Sequence, residues 1–377
     1  MAKIGLDISV LNDAQKTGIA VYTQGLIKAL LRVNQKDRFV LFGISTFATN
    51  WYLKNLEFKK YSNVQLRIYK LPARAFRRAF LAWQRLNWPK IERFVGRVDI
   101  FHSFNWFFPP QAVGKKVATI FDLTATVYPK WHDPRTSQLD QVRFDKIGRE
   151  ADLVLAISQS SKRDFLKRYP KSRVEVIYPA ASEIFNAKVD KNLTDKILRK
   201  FNLEPGYILS VSTLEPRKNL IGLIKAYLRA DLRQPLVLVG KIGWKSGQAL
   251  DLVNRHLDKV KQTGFVADEE LKILYQNALC LVYPSFYEGF GLPILEAMAC
   301  GCPVICSNSS SLPEVGGEAV YYVSPGKVEE ISKAIVVLAK DKDMRAKLKK
   351  LGLKQAKRFS WDRSAKKLND LYQKLCS

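Results

Sequence analysis

Short apolar runs alternate with longer amphipathic segments along nearly the whole chain, and no other feature restricts the fold as strongly. Lys3–Ile8 and Asp152–Ile157 are typical strand sequences of the first half, and Tyr207–Val211 and Leu279–Tyr283 of the second. Helical patterns such as Gly18–Val33 lie between the strands. Near-continuous apolar strands separated by helices are typical of parallel sheets covered on both faces. The sequence therefore predicts an α/β protein with two doubly wound, Rossmann-like domains.

The length supports two domains, because 377 residues exceed what one hydrophobic core usually holds. The boundary is expected within Tyr178–Asp190, where Pro179, two alanines and a polar run follow a strand. We predict an N-terminal domain over residues 1–180, a C-terminal domain over 181–359 and a final helix over 360–377. Ser360 is the expected N-cap of that helix, which is predicted to cross back to the first domain.

The stretch Tyr283–Glu296 (YPSFYEGFGLPILE) carries the strongest chemical signal. A strand is expected to end at Tyr283, a loop with two glycines follows, and a helix is expected to begin near Leu292. Open α/β sheets bind ligands at the carboxyl ends of their strands. Glycines let a backbone approach a ligand closely, and N–H groups at a helix start can hold a diphosphate. The positions predicted to face the ligand are Gly289, Phe290, Gly291 and Leu292.

Two glutamates complete this stretch. Glu296, about one turn into the helix, can accept hydrogen bonds from two neighbouring hydroxyls, as a ribose offers. Glu288, on the loop, can bind hydroxyls of a sugar beyond the diphosphate. The alternative is that both glutamates are solvated and that the glycines only form a turn. The fixed order of so many features favours a nucleotide-sugar site.

The same stretch closely resembles the E-x7-E signature of family 4 glycosyltransferases, and the resemblance covers nearly the whole chain. It implies the GT-B fold, in which two Rossmann-like domains face a central cleft. It also implies transfer of a sugar from a nucleotide-sugar to an acceptor with retention of the anomeric configuration. Further matching segments are the Gly18 loop, His102-Ser, Thr119–Thr124, Ile157–Lys162, Ser212–Asn219 (STLEPRKN), Gly264–Val266 and the helix that follows Phe359.

Arg217 and Lys218 are the predicted cations of the site, because they follow a strand that ends near Ser212. Two cations at the mouth of a sheet can neutralise a diphosphate and the charge that grows on it as the glycosidic bond breaks. The resemblance assigns this role to the pair. Some relatives carry another arginine earlier in this loop, where this chain has Ser212 and Thr213. A solvated basic turn is the alternative.

The resemblance places two further segments near the donor, and the residues of a third make it a candidate. The backbone of Gly18 is implied to face the diphosphate, although a plain glycine at a helix start is the alternative. Phe265 and Val266 are candidates for contact with the base. Such contacts are mostly made by the main chain, so the side chains at these positions do not distinguish guanine from uracil. Trp244, in Gly240–Trp244, either contacts the nucleotide or simply packs.

One position departs from the family pattern. Many relatives have a histidine after the Thr119-Ile strand, near the reacting sugar, and this chain has Phe121 followed by Asp122. Asp122 is therefore a candidate for polar contact or for action on the acceptor hydroxyl. His102, at the preceding strand end, is a second candidate, with a structural histidine as its alternative. Because the resemblance implies that the leaving phosphate itself takes the acceptor proton, losing one histidine does not remove the mechanism.

No cofactor and no metal are expected beyond the nucleotide-sugar. The three histidines are scattered, and Cys300-Gly-Cys302 lacks both a nearby histidine and the C-x-x-C spacing of metal sites. Asp341-Lys-Asp343 matches D-x-D formally, but it opens a charged helical pattern and is read as a helix cap. The five cysteines do not pair off evenly, which indicates a reducing compartment.

The charge of +27 favours anionic partners. Pro72–Arg97 combines aromatic residues at helical spacing with arginines, so it fits a helix on an anionic membrane surface. The alternative is a helix that packs its aromatics into the first domain. No apolar run is long enough to span a membrane, and no signal peptide is evident. A cytoplasmic protein, with a candidate peripheral position on the inner face of the cell membrane, is expected.

These features favour a hexosyltransferase, with mannose preferred, that uses a GDP- or UDP-sugar and a saccharide or lipid-linked saccharide acceptor. A non-catalytic nucleotide-sugar or lipid-binding module is the second hypothesis, motivated by Phe121. A nucleic-acid binder is the third and weakest, because the charge is spread along the chain and no recognition motif stands out.

Overall fold

The computed structural model describes residues 1–12, 17–46, 57–71, 83, 86–104, 107–186 and 189–377. It divides into two compact units. The N-terminal unit comprises Met1–Pro179 together with Ser360–Ser377, and the C-terminal unit comprises Ala180–Phe359. Each unit is built around one parallel sheet.

The described residues of the N-terminal unit form a parallel sheet of seven strands. The strands are β1 (Lys3–Asp7), β2 (Arg38–Thr46), β3 (Val64–Leu71), β4 (Ile100–Phe104), β5 (Lys115–Ile120), β6 (Leu153–Ala156) and β7 (Val174–Val176). The helices are α1 (Gly18–Val33), α2 (Glu92–Val95), α3 (Thr124–Val127), α4 (Pro134–Glu150) and α5 (Gln159–Arg168). The strand order is β3-β2-β1-β4-β5-β6-β7, so the direction of winding reverses between β1 and β4.

The C-terminal helix, Trp361–Cys376, packs against α1 within the N-terminal unit. Gly25 of α1 permits this packing, because a Cβ there would lie 2.5 Å from Cε2 of Trp361. Ser364 Oγ donates a hydrogen bond to the Tyr178 carbonyl at 2.6 Å. Ser360 occupies the N-cap position as predicted, but its side chain makes no capping hydrogen bond.

The C-terminal unit contains a second parallel sheet, with six strands among the described residues. They are β8 (Tyr207–Val211), β9 (Leu236–Val239), β10 (Val260–Gly264), β11 (Ala278–Tyr283), β12 (Val304–Ser307) and β13 (Tyr321–Val323). The helices are α6 (Lys191–Lys200), α7 (Leu220–Ala230), α8 (Gly247–Asn254), α9 (Asp268–Asn277), α10 (Leu292–Ala299), α11 (Leu312–Gly316), α12 (Val328–Lys340) and α13 (Lys342–Ala356). The order β10-β9-β8-β11-β12-β13 reverses between β8 and β11.

The central strands of this second sheet are buried on both faces. All five residues of β8 are buried, and Ile208 packs in one cluster with Leu238 of β9 and Val282 of β11. Leu223 of α7 and Ile335 of α12 cover that face. Strands buried on both sides need apolar residues at nearly every position, which explains the continuous apolar runs in the sequence. The prediction of two doubly wound α/β domains is confirmed.

Two smaller predictions have different outcomes. Asp341 caps α13, because its side chain accepts a hydrogen bond from the Met344 N–H at 2.8 Å, and the helix-cap interpretation of Asp341-Lys-Asp343 is confirmed. Half of the proposed membrane-facing segment, residues 72–82, 84 and 85, lies outside the described residues. Trp83 is described, and its ring packs edge-on against Phe94 within the N-terminal unit. For Trp83 the packing alternative holds.

Candidate functional site

The candidate site lies on two loops of the C-terminal unit that follow β8 and β11. These strands are parallel neighbours at the point where the winding reverses. Loops that leave the carboxyl ends of such a pair diverge and form the usual ligand crevice of an open α/β sheet. Hydrogen bonds that involve the backbone join the loops, among them one from the Phe286 N–H to the Arg217 carbonyl at 2.9 Å and one from Asn219 Nδ2 to the Pro284 carbonyl. The predicted cations and Glu288 are thus held at one edge of the sheet.

Glu288 bridges the two predicted cations. Its Oε1 accepts a hydrogen bond from Lys218 Nζ at 2.6 Å, and its Oε2 accepts one from Arg217 Nη1 at 2.9 Å. Only 5% of Glu288 is exposed. Burial alone would raise the pKa of Glu288, but the positive charges of Lys218 and Arg217 outweigh burial and hold that pKa at about 2. The carboxylate is therefore ionised throughout the neutral range.

A second buried carboxylate, Glu215, holds the other side of the arginine. Arg217 Nε and Nη2 both donate to Glu215 Oε1, at 3.0 and 2.7 Å, and Nη1 also donates to the Tyr287 carbonyl. The planar guanidinium is thereby fixed from two directions. The sequence analysis did not single out Glu215, although an acidic residue two positions before the arginine was the available signal.

Lys218 is nearly as buried as the carboxylate that it contacts. Besides Glu288, its Nζ donates to the Tyr283 hydroxyl at 2.9 Å and lies 5.2 Å from the centre of that ring. Burial, followed by the nearby charge of Arg217, lowers the pKa of Lys218. Arg217 and Lys218 therefore form one balanced ion cluster with Glu215 and Glu288. The sequence names the two cations, but it does not reveal that Glu288 reaches both of them.

Two serines that follow β12 hold the Glu288 loop in place by hydrogen bonds. Ser310 Oγ accepts a hydrogen bond from the Glu288 N–H at 2.8 Å. Ser311 Oγ lies 2.9 Å from the Glu288 carbonyl and 2.8 Å from that of Phe290, both of which are acceptors. Sequence reasoning missed both serines, because they lie some twenty residues further along the chain.

Gly291 precedes the first residue of α10 and has a φ of +106°, where a side chain would be strained. A Cβ there would also lie 2.6 Å from Leu312 Cδ2. The helix begins at Leu292, as predicted, with Pro293 in its first turn. The backbone therefore has one defined conformation from the Glu288 loop to the start of α10.

Glu296 lies one turn into α10 and is partly exposed. Its Oε2 accepts a hydrogen bond from the Tyr275 hydroxyl at 3.1 Å. Burial raises the pKa of Glu296 to about 7, and the bond from Tyr275 only partly offsets that effect. The two glutamates of the signature thus have opposite electrostatic surroundings, since Glu288 has two cations beside it and Glu296 has a tyrosine.

The segments predicted near the base lie at the same edge of the C-terminal sheet. Phe265 follows β10 and is 49% exposed, whereas the neighbouring Val266 is buried. Trp244, after β9, is 44% exposed. The Gly240 N–H donates to the Gly264 carbonyl at 2.9 Å, so the two loops lie side by side. Phe265 and Trp244 therefore offer aromatic surface to solvent at this edge.

His102 has a structural role inside the N-terminal unit. Its Nδ1 lies 2.5 Å from the Tyr372 hydroxyl and its Nε2 lies 2.7 Å from Thr119 Oγ1, both within hydrogen-bonding distance. The ring is fully buried, and burial lowers its pKa to about 3. The structural alternative weighed above therefore describes His102, and the candidate catalytic role is corrected, since both ring nitrogens are already engaged.

The two other candidates of this unit, Asp122 and Gly18, and the departing position Phe121 have distinct surroundings. Asp122 Oδ1 accepts hydrogen bonds from the N–H and the hydroxyl of Thr124, at 2.9 and 2.6 Å, which fixes the start of α3. Phe121, at the position of the family histidine, is buried and packs edge-on against Tyr22 with ring centres 5.2 Å apart. Gly18 is exposed at the first turn of α1, and residues 13–16 before it lie outside the described part.

No group of three metal-ligating side chains lies together in the described ranges. The helices of that same part of the chain include none that is long and apolar enough to cross a bilayer.

Two family models match the chain, one in each half. The model described as Glycosyltransferase Family 4 matches residues 16–182, and that described as Glycosyl transferases group 1 matches residues 192–355. The chain is 33% identical to O-antigen chain mannosyltransferase B of Escherichia coli over 374 residues, which are 95% of this chain and 96% of the relative. It is also 33% identical to the O-antigen chain mannosyltransferase RfbU of Salmonella typhimurium, over 48% of this chain and 49% of that protein.

Solved structures show the same fold at lower identity. Sucrose-phosphate synthase from Thermosynechococcus elongatus matches with a TM-score of 0.78 at 21% identity, covering 100% of this chain and 99% of the other. The Anabaena protein HepE, solved in complex with UDP-glucose, matches with a TM-score of 0.72 at 18% identity, covering 99% of this chain and 100% of the other. Both likenesses extend over both units.

Proposed function

Since this chain belongs to the glycosyltransferases of the GT-B fold, we propose that it transfers mannose from a nucleotide-sugar to a growing cell-surface polysaccharide. The relative that matches nearly the full length is named an O-antigen chain mannosyltransferase. GDP-mannose is the first donor to test, with the UDP-sugars as the alternative class. The proposed acceptor is a saccharide or a lipid-linked saccharide.

The observation that carries this proposal is the ion cluster at the winding reversal of the C-terminal sheet. Glu288, Arg217 and Lys218 meet there, next to the glycine-rich start of α10. Buried charges that are paired and hydrogen-bonded in this way are costly to assemble, and they concentrate at functional sites. If this edge of the sheet only stabilised the fold, it would need neither two cations nor two carboxylates.

The donor is proposed to bind the C-terminal unit in the following way. The N–H groups at the start of α10 and the cations of Arg217 and Lys218 hold the diphosphate and stabilise the charge that develops on it as the sugar leaves. Glu288 orients these two cations and contacts a sugar hydroxyl. Glu296 accepts hydrogen bonds from the ribose. The backbone at Phe265 and Val266 faces the base.

The transfer itself is proposed to proceed with retention and without a metal. As the anomeric carbon–oxygen bond to the diphosphate breaks, the acceptor hydroxyl forms a bond to the same carbon. The departing phosphate oxygen takes the acceptor proton. Arg217 and Lys218 supply the positive charge that stabilises the leaving group. Among the residues of the N-terminal unit, Asp122 and the backbone of Gly18 remain the candidates for contact with the reactants.

The test is a donor screen with purified protein. GDP-mannose, GDP-fucose, UDP-glucose and UDP-galactose are each supplied with a mannose-terminated, lipid-linked acceptor, and released nucleotide and elongated acceptor are measured. The proposal expects GDP release coupled to mannose addition, unchanged by EDTA. Nucleotide binding without transfer from any donor would favour the second candidate, a non-catalytic binding module, which Phe121 at the family histidine position motivates.

We also propose that the protein works at the cytoplasmic face of a membrane, held by its net charge of +27. Sedimentation with vesicles of phosphatidylglycerol should pull the protein down, and vesicles of phosphatidylcholine should not. Equal recovery with both lipids, or with neither, would contradict this localisation.

A further inference from the structure

Glu296 is the one residue of the proposed donor site whose carboxyl group is held by a neutral side chain. Tyr275 lies on α9, and its hydroxyl donates to Glu296 Oε2 on α10 at 3.1 Å. The bond therefore crosses between two helices that are separate in sequence.

Tyr275 can aim its hydroxyl accurately because its ring is fully buried. Phe185 packs edge-on against it, with ring centres 6.0 Å apart. A buried tyrosine has only two side-chain torsions, and its hydroxyl needs a partner. Glu296, by contrast, has a longer side chain that loses more rotamer freedom when it is ordered. Tyr275 is therefore the rigid member of the pair, and Glu296 is the member that is positioned.

The bond also leaves the carboxyl group able to act. A carboxylate has about four acceptor sites on its two oxygens, and Tyr275 occupies one of them on Oε2. Glu296 is partly exposed, so acceptor capacity remains for another donor. Because a hydrogen bond to the ionised form favours that form, Tyr275 acts against the burial that raises the pKa of Glu296.

We infer that Tyr275 is a positioning residue that fixes the Glu296 carboxylate for the two hydroxyls of the donor ribose. This inference rests on the proposed function, because it takes a ribonucleotide as the ligand. It assigns recognition of the ribose to a pair of residues rather than to the glutamate alone.

The test is Tyr275→Phe, which removes one oxygen and keeps the ring. Calorimetry compares the Kd of GDP with that of 2′-deoxy-GDP, or the uridine pair if the donor screen selects UDP. The wild type should prefer the ribonucleotide by about tenfold, which corresponds to one good hydrogen bond. Tyr275→Phe should weaken GDP binding more than 2′-deoxy-GDP binding, because the deoxynucleotide keeps only its 3′-hydroxyl for Glu296, so that the preference largely disappears.

The matched control is Tyr227→Phe in α7. Tyr227 is another buried tyrosine of the same unit, and its hydroxyl lies within hydrogen-bonding distance of two backbone carbonyls, those of Gln234 and Lys259. Tyr227→Phe should lower the melting temperature and keep the ribose preference. Glu296→Ala should lose the preference by itself, and adding Tyr275→Phe to it should change nothing further. If Tyr275→Phe folds poorly, the loss of folded protein weakens the apparent binding of both nucleotides alike, so the ratio of the two Kd values still tests the inference.

The inference is overturned if Tyr275→Phe keeps the wild-type preference, if it weakens both nucleotides equally, or if the wild type shows no preference. Failure of the proposed function gives a different result. In that case GDP binds with a ribose preference that depends on Tyr275, and yet no donor supports transfer to an acceptor.

Discussion

Lys218 Nζ lies 2.6 Å from Glu288 Oε1, and this contact ties the loop after β8 to the loop after β11. Both side chains are almost fully buried. The contact therefore holds the two loops at the winding reversal together and sets the charge of the proposed donor site. Most of the expected behaviour of the protein follows from it and from the second glutamate, Glu296.

Glu288→Gln should destabilise the C-terminal unit strongly, because Arg217 and Lys218 would keep their buried charges and lose the carboxylate that both contact. Breaking a buried ion pair costs about 3–5 kcal/mol. The pKa of Glu288 lies below its ordinary value, so its contribution to stability is present above pH 4.5 and is lost as the pH falls toward 2. Urea denaturation across this range measures both effects.

The matched control is Glu329→Gln. Glu329 pairs with Arg229 at 2.8 Å, but both side chains are more than half exposed. Exposed pairs contribute about 0–1 kcal/mol. Equal losses of stability for the two variants would contradict the cluster as a buried structural unit.

Lys218→Met should abolish most transfer activity, because methionine keeps much of the volume and removes the charge. Loss of one group that stabilises developing negative charge typically costs about 100- to 1000-fold in kcat. Steady-state release of nucleotide measures it. Lys327→Met, an exposed lysine paired with Glu330, should retain wild-type kcat. A Lys218→Met enzyme with normal kcat is the outcome that rules out this role.

Donor affinity should fall as the pH drops below 7. Burial raises the pKa of Glu296 to about 7, so the carboxylate form that accepts from the ribose becomes the minor form in acid. Because the ionised fraction of a group with this pKa falls from about nine-tenths at pH 8 to about one-tenth at pH 6, most of the roughly tenfold ribose preference should be lost between these pH values. The measurement is the Kd ratio of 2′-deoxy-GDP to GDP, which cancels the titration of the phosphates. A ratio that stays constant over this range, or rises in acid, would contradict the prediction.

His102→Ala should cost stability rather than catalysis. The substitution leaves the Tyr372 hydroxyl and Thr119 Oγ1 without their buried partner, which costs about 1–3 kcal/mol for each unsatisfied group. Thermal melting and kcat are measured on the same preparation. Tyr372→Phe should lower the melting temperature in the same direction. An unchanged melting temperature together with a large loss of kcat would restore His102 to the active site.

The predicted fold agrees closely with the structure because parallel strands buried on both faces leave a strong mark on the sequence. Tyr207–Val211 and Leu279–Tyr283 are apolar because they form central strands, whose two faces are both buried. The start of α10 at Leu292 also follows from local chemistry, since the glycine and the proline act on the backbone within a few residues.

The contacts within the site are harder to predict from the sequence, because they join residues that are distant in the chain. Glu288 meets Lys218 across 70 positions, and Tyr275 meets Glu296 across 21. Single residues of the right type could be named from the sequence, but their partners could not. The buried ring of His102 shows the converse, since this polar residue lies in the middle of β4 rather than at its end and faces the interior of its own domain.

The most direct test of the account is mannose transfer from GDP-mannose to a mannose-terminated, lipid-linked acceptor by the wild type and by Lys218→Met. The account predicts one GDP released for each mannose added by the wild type, with an α-linked product that retains the donor configuration, and almost none by the variant. A wild type that binds GDP-mannose and adds no mannose to any such acceptor, or a variant that adds it as fast, would contradict the account.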